Sequence, residues 1–201
     1  MDREHEIPSG VTFIGDGAFD GCSHLQRIII PEGVTQIGGC AFRGCIALKS
    51  IVIPYGVKSI GIWAFEDCHS LSDVQFLGKM DWLDEWVFRN CDSLVSITLP
   101  DGLDEVSPGL FFECGNLESV TIPDGVKIIE ASAFAKCEKL KSITIPDSVT
   151  EIAYEAFMSC KSLEEINIPD SVTKIGEMAF AGCTSLKGKD KLADRASQNL
   201  R

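Results

Sequence analysis

Residues 140–160 read LKSITIPDSVTEIAYEAFMSC, and this stretch decides the fold. Apolar residues alternate up to Ile145, which indicates a short strand that ends at Pro146, because proline has no N–H to donate to a strand ladder. Pro-Asp-Ser then predicts a turn, and Val149–Ile152 a second short extended piece. The Ala-Phe step and Cys160 predict a tight turn that returns the chain. A unit this small cannot bury its own apolar side, so it needs neighbouring copies.

The motif recurs eight times at a fixed spacing of 23 residues, without insertion or deletion from Ile7 to Leu186. The Ile-Pro step is Leu99-Pro100 in the fifth copy, and only the fourth copy lacks the proline, with Phe76-Leu77 in its place. Stacked copies bury one continuous core, so the sequence predicts a repeat solenoid of about eight coils with parallel strands and few or no regular helices. The columns that hold this spacing are the phenylalanines Phe19, Phe42, Phe65, Phe88, Phe111, Phe134, Phe157 and Phe180, the cysteines Cys22, Cys45, Cys68, Cys91, Cys114, Cys137, Cys160 and Cys183, and the leucines Leu25, Leu48, Leu71, Leu94, Leu117, Leu140, Leu163 and Leu186.

The order L-x-x-I-x-I-P, V-x-x-I and A-F-x-x-C resembles the BspA-like, or Treponema-type, leucine-rich repeats over residues 7–186. This resemblance implies a solenoid whose strands line the concave face. It also implies kinship with surface proteins of oral, gut and spirochaetal bacteria and of some parasitic protists. Several members of the family are associated with adhesion to host cells or to matrix proteins such as fibronectin and fibrinogen. The family supplies no catalytic residues that could be placed on this chain.

The repeats predict one domain at residues 7–186, between an N-terminal lead at 1–6 and a basic tail or cap at 187–201. Because only six residues precede Ile7, we expect no strand before the first coil. In the tail, residues 190–200 could form a short amphipathic capping helix, or the segment could be frayed. Solenoid ends expose strand edges, which makes end-to-end self-association a further expectation.

Composition excludes several classes of protein. The 201 residues carry a net charge of −12, which argues against binding to nucleic acids or anionic membranes, whose phosphates would repel the chain. No apolar run is long enough for a transmembrane helix. The start, MDREHEIPSG, lacks the pattern of a secretory signal. We therefore expect a cell-surface or secreted location if the chain is part of a longer one with a signal peptide, and a cytoplasmic location otherwise.

The pattern of the cysteines indicates a role in core packing rather than in metal binding or disulfide formation. Their spacing of 23 contains no C-x-x-C pair, so it does not fit a zinc site. Stacked parallel side chains suit disulfides badly, and small buried thiols are the expected arrangement. Cys40 stands outside this column and is the one we expect to be exposed. Only three histidines are present, none beside a nucleophile motif, so we predict no enzyme activity, no cofactor and no metal site.

An acidic column follows the strand-ending prolines, and it has two interpretations. Stacked carboxylates could bind a cation such as calcium, or they could cap the turns as exposed, screened charges. The second interpretation is favoured because no calcium-binding repeat motif is present. The column consists of Asp101, Asp124, Asp147 and Asp170, with Glu32 at the same position.

The candidate partner-binding residues lie in the third and fourth repeats. The outward strand residues are mostly Ser and Thr, a monotonous surface that is interrupted by large aromatic residues at non-core positions, which either anchor a partner or fill local gaps. The leading hypothesis is a non-catalytic protein-binding domain for adhesion or host-matrix recognition. The alternatives are an intracellular scaffold or adaptor and a glycan-binding module. The candidates are Trp63, Trp82, Trp86, Tyr55, Asp73 and Gln75, with Trp63 and Trp86 expected to stack on adjacent coils.

Overall fold

A computed structural model describes residues 4–188 of the chain. This part contains sixteen short β-strands and no helix, and none of it could span a lipid bilayer as a helix. In chain order the strands are β1 (Glu4–Glu6), β2 (Phe13–Ile14), β3 (Arg27–Ile29), β4 (Gln36–Ile37), β5 (Ser50–Ile53), β6 (Ser59–Ile60), β7 (Asp73–Phe76), β8 (Trp82–Leu83), β9 (Ser96–Thr98), β10 (Glu105–Val106), β11 (Ser119–Thr121), β12 (Ile128–Ile129), β13 (Ser142–Thr144), β14 (Glu151–Ile152), β15 (Glu165–Asn167) and β16 (Lys174–Ile175).

Odd-numbered strands form the first sheet and even-numbered strands form the second. Every pairing is parallel and joins residues 23 apart, such as Ile51 with Val74 and Ile37 with Ile60. The predicted parallel solenoid of 23-residue coils is therefore confirmed. We count coils from each first-sheet strand, so that coil 3 is residues 50–72, coil 4 is 73–95 and coil 5 is 96–118. Seven complete turns separate β1 from β15, slightly fewer than the predicted eight, because no ninth first-sheet strand closes the last copy within residues 4–188.

The repeat columns form the core. The phenylalanine rings stack from Phe19 to Phe180 with neighbouring centroids 5.2 to 5.7 Å apart. The leucine, isoleucine and cysteine columns are buried beside them along nearly the whole solenoid. Since offset-stacked rings and close-packed aliphatic groups repeat in each coil, one continuous core runs the length of the described chain.

The third side of each coil is a return turn that runs from the end of the second-sheet strand to the cysteine. Backbone bonds join successive return turns, as where Phe65 N donates to Val87 O at 2.9 Å. Each turn contains two positions in the left-handed region, four residues apart. They are Gly17 and Gly21 in the first coil and Met178 and Gly182 in the last. Eleven of the residues at positive φ in the described part are not glycine.

Two sequence expectations concern the ends. The prediction that no strand precedes the first coil is wrong, because β1 pairs with β3 in register. An edge strand needs only backbone pairing on one side, so His5 can occupy the column that holds isoleucine in β3. The predicted cap or frayed tail at residues 190–200 lies outside the described residues.

The solenoid has an interruption between coils 4 and 5. Among the described strands the second sheet divides only here, into β2-β4-β6-β8 and β10-β12-β14-β16. The first sheet consists of four two-stranded pieces, β1-β3, β5-β7, β9-β11 and β13-β15, and one of its three junctions lies at the same place. This is where Phe76-Leu77 replaces the usual Ile-Pro step. The return turns remain bonded across the junction, with Phe88 N donating to Leu110 O at 3.0 Å. The core is thus continuous where both sheets are interrupted.

Candidate functional site

The first sheet carries a shallow depression at the interruption. It has a volume of about 480 Å³ and spans β7, β9 and β11. Its polar lining includes Asp73, Gln75 and the hydroxyls of Ser96 and Thr98, and Phe76 contributes to its apolar side. The Gln75 amide nitrogen donates to an Asp73 carboxylate oxygen at 2.9 Å, so two of the predicted candidates meet here.

Trp63 and Trp86 occupy the first left-handed position of their return turns, with φ near 57° and 59°. Despite this shared position their surroundings differ. The Trp86 ring packs edge-on against Phe112, with centroids 5.3 Å apart, and it covers Gly109, where a Cβ would overlap the indole. Trp63 is 37% exposed. Trp86 thus supports the local packing, while Trp63 presents a larger surface to solvent.

The other two aromatic candidates lie elsewhere on the same coils. Trp82 is the outward residue of β8 in the second sheet and is 53% exposed. Tyr55 follows β5 in the turn between the sheets and is 63% exposed. The structure therefore brings Asp73 and Gln75 together in one depression and distributes the aromatic candidates over other sides of coils 3 and 4.

The return turns of coils 3 to 6 carry a cluster of ion pairs around Phe112 that the sequence analysis did not predict. Arg89 forms an ion pair with Glu66 at 2.5 Å, and Lys136 pairs with Glu113 at 2.6 Å. Both cations lie over the Phe112 ring, with the Lys136 ammonium 4.9 Å from its centroid. The spacing of 23 between Glu66 and Arg89, and between Glu113 and Lys136, was the available signal. These contacts fasten neighbouring coils together.

Coils 4 and 5 hold a strong negative charge. Residues 73–118 contain ten acidic and two basic side chains. Burial raises the pKa of Glu105, and so does repulsion from Glu130, Asp104 and Glu85. Part of the charge of these coils is neutralised from coil 6, since Glu113 pairs with Lys136 and Glu118 pairs with Lys141.

The acidic column offers no metal centre. Among residues 4–188, no group of three or more His, Cys, Asp or Glu side chains could hold a metal ion. Asp124 and Asp147 instead lie in exposed turns, where the Gly125 N–H donates to the Ser148 hydroxyl at 3.1 Å. The prediction of small buried thiols without disulfide bonds is confirmed for the seven column cysteines from Cys45 to Cys183. It is wrong for Cys22, which is exposed at the end of the column, and Cys40, which was expected to be exposed, is half-buried.

The buried thiols are unsuited to nucleophilic chemistry. Burial is the main cause that raises the pKa of Cys45 and of Cys114 to about 12, well above the ordinary value of 9.0. Since the thiolate is the reactive form, these side chains are inert at neutral pH. The cysteine column therefore contributes to packing.

The chain is similar to known proteins both in its repeat sequence and in its fold. The sequence profile of the BspA type leucine-rich repeat region matches in six copies, over residues 3–115 and 104–189. No curated protein matches the chain.

Several solved structures resemble the chain closely. The leucine-rich repeat protein of T. pallidum is 30% identical, with a TM-score of 0.76, 96% of this chain covered and 81% of that one. A leucine-rich cell surface protein of Faecalibacterium prausnitzii is 30% identical, with a TM-score of 0.58 and 96% of this chain covered. The pneumococcal vaccine antigen PcpA is 25% identical, with a TM-score of 0.63 and 92% of this chain covered. The chain spans 62% of the F. prausnitzii protein and 55% of PcpA.

Proposed function

Because the chain belongs to the BspA-type leucine-rich repeat family, we propose that it is a non-catalytic protein-binding domain that acts in adhesion or host-matrix recognition. Two of the similar structures are a bacterial cell surface protein and a vaccine antigen, which supports display outside the cell. Fold alone does not give function, so the proposal rests on the surface of this chain as well.

One observation carries the proposal, namely that coils 3 and 4 concentrate exposed aromatic residues on an otherwise regular scaffold. Tyr55, Trp63 and Trp82 are each at least a third exposed, although their burial would be favourable. Large aromatic side chains of this kind dominate the energetics of protein interfaces. The continuous core beneath them holds their positions, so little ordering is required when a partner binds.

Trp86 has a different role in this proposal. Its indole already packs edge-on against Phe112 and over Gly109 of the next coil, so part of its apolar surface is used within the fold. A variant that lacks Trp86 would change stability together with binding, and it is therefore a poor probe of the interface. Asp73 and Gln75 form a separate polar candidate on the first sheet, a different side of the same coils.

The test is surface plasmon resonance of the purified chain over immobilised fibronectin and fibrinogen. We expect saturable binding to at least one of them, and a loss of about tenfold or more in the triple variant Tyr55→Ala, Trp63→Ala, Trp82→Ala. The matched control is Tyr154→Ala with Met178→Ala, which removes two exposed apolar side chains from later coils. Far-UV circular dichroism should be unchanged in both variants.

Two results would contradict the proposal. No binding to either matrix protein would remove the host-matrix assignment, and equal binding by the triple and control variants would remove the assigned surface. Tryptophan fluorescence that responds to oligosaccharides but not to proteins would favour the glycan-binding alternative instead.

A further inference from the structure

The depression on the first sheet has a chemistry of its own. Each polar group of its lining can accept a hydrogen bond: the Asp73 carboxylate, the Gln75 amide oxygen and the hydroxyls of Ser96, Thr98, Ser119 and Thr121. The Gln75 amide nitrogen is already directed at one Asp73 oxygen, which leaves the other oxygen available. No lysine, arginine or histidine lines the depression.

The apolar side of the depression suits a long aliphatic stem. Phe76 and Leu77 replace the usual Ile-Pro step here, and Leu77 is more exposed than the prolines at the equivalent positions 54 and 100. Lysine and arginine side chains combine such a stem with a cationic donor at the end. An acceptor-lined depression with one carboxylate and an apolar edge matches that combination.

The negative charge of the residues around the depression also favours a cationic ligand. Asp101 follows Pro100, which lines the depression, and coils 4 and 5 hold ten acidic side chains against two basic ones. Of those two, Arg89 is paired with Glu66 in the return turns, and Lys79 lies in the turn beyond Leu77. Fields of one sign attract and orient partners of the other sign.

We propose that this depression binds a cationic segment of a partner protein, one Lys or Arg side chain of which pairs with Asp73 while its stem lies on Phe76 and Leu77. The proposal rests on the proposed function, since it specifies the chemistry of the protein partner. The depression spans β7, β9 and β11 at the level where the second sheet is interrupted and Phe76-Leu77 replaces the usual Ile-Pro step.

The experiment uses two fluorescent peptides of the same length, alternating glycine with arginine in one and with the uncharged isostere citrulline in the other. Fluorescence anisotropy at 150 mM salt should show binding of the arginine peptide only. Asp73→Asn should weaken that binding about three- to fivefold, the upper part of the range for one exposed charge pair. Asp147→Asn, which removes an exposed turn carboxylate from coil 7, is the matched control and should change it less than about twofold.

A second pair of variants tests the location. Thr98→Lys places a cation in the depression and should abolish binding, whereas Thr144→Lys, two coils away in the same column of the first sheet, should not. The inference is overturned by equal losses in Asp73→Asn and Asp147→Asn, which would show general charge attraction, by equal binding of the two peptides, or by no binding at all. Loss of matrix-protein binding in the aromatic triple variant, with none of these peptide effects, would leave the proposed function standing alone.

Discussion

The thiol of Cys114 donates a hydrogen bond to the backbone carbonyl oxygen of Phe88, 26 residues earlier, with Sγ and O separated by 2.9 Å. The same carbonyl accepts the backbone N–H of Cys91 within its own coil. This relationship recurs from Cys45, bonded to Phe19, through Cys183, bonded to Phe157. The cysteine column is thus a column of small buried donors that link each return turn to the one before it.

Replacement of Cys114 by alanine should destabilise the fold by about 1–2 kcal/mol, because it removes this donor and leaves a small void in a fully buried site. Urea unfolding followed by circular dichroism measures the change. Cys22→Ala is the control, since Cys22 is exposed, and it should be nearly neutral. Equal effects of the two replacements would show that the buried hydrogen bond contributes nothing.

The same thiols make stability depend on alkaline pH. Burial raises the pKa of Cys114 from 9.0 to about 12, so above pH 9 the unfolded chain loses this proton while the folded chain keeps it. Stability is therefore full below pH 9 and falls between pH 9 and 12, by up to about 1.4 kcal/mol per pH unit for one thiol. We expect a shallower fall in Cys114→Ala than in the wild type, measured by urea unfolding at pH 8, 9 and 10. Parallel pH profiles of the two proteins would contradict the assignment.

Thiol labelling gives an independent measure of the column. In the folded protein at pH 7.5, a maleimide reagent should modify Cys22 and Cys40 quickly and the seven buried cysteines only on unfolding. Mass spectrometry of the intact chain counts the labels. Fast labelling of more than two sites would show that the column is open to solvent.

The sequence predicted the core well because each column repeats the same side chain, so that one coil specifies the next. It could not separate Trp63 from Trp86, which share a position. The difference arises from the neighbouring coil. Trp86 packs over Gly109, which has no side chain, and against the Phe112 ring. The residue that follows Trp63 in the column is instead the bulky Trp86. The sequence did not predict the depression beside Asp73 either, because residues of three strands, β7, β9 and β11, form it together.

The phenylalanine stack should depend strongly on position. Phe88 is fully buried between Phe65 and Phe111 and also meets Phe76 edge-on, so Phe88→Ala should cost about 3–5 kcal/mol. Phe180 is only partly buried at the end of the stack, and Phe180→Ala should cost clearly less. Urea unfolding curves of the two variants compare them. Similar losses of stability in the two variants would contradict the prediction that a ring in the middle of the stack contributes more than a ring at its end.

The left-handed positions of the return turns should favour glycine. Ser159 has φ near 61°, and Ser159→Gly should stabilise the fold by about 0.5–1 kcal/mol because glycine adopts this conformation without steric cost. Gly21→Ala should have the opposite effect at an open position with φ near 68°. Gly115→Ala, which also has open space but no positive φ, is the control and should cause no such loss. Thermal unfolding distinguishes the three, and a loss in Gly115→Ala equal to that in Gly21→Ala would remove backbone strain as the explanation.

Gly109 and Trp86 should behave as a coupled pair. In Gly109→Ala the new methyl group meets the Trp86 indole and the backbone keeps a φ near 60°, so the loss of stability should exceed that in Gly21→Ala, where only the φ is unfavourable. In the double variant Gly109→Ala, Trp86→Ala the clash is absent. We therefore expect the two losses measured by urea unfolding to sum to more than the loss in the double variant, by about 1 kcal/mol or more. Strict additivity would show that the indole does not lie over Gly109, and it would return Trp86 to the set of free surface aromatics beside Trp63.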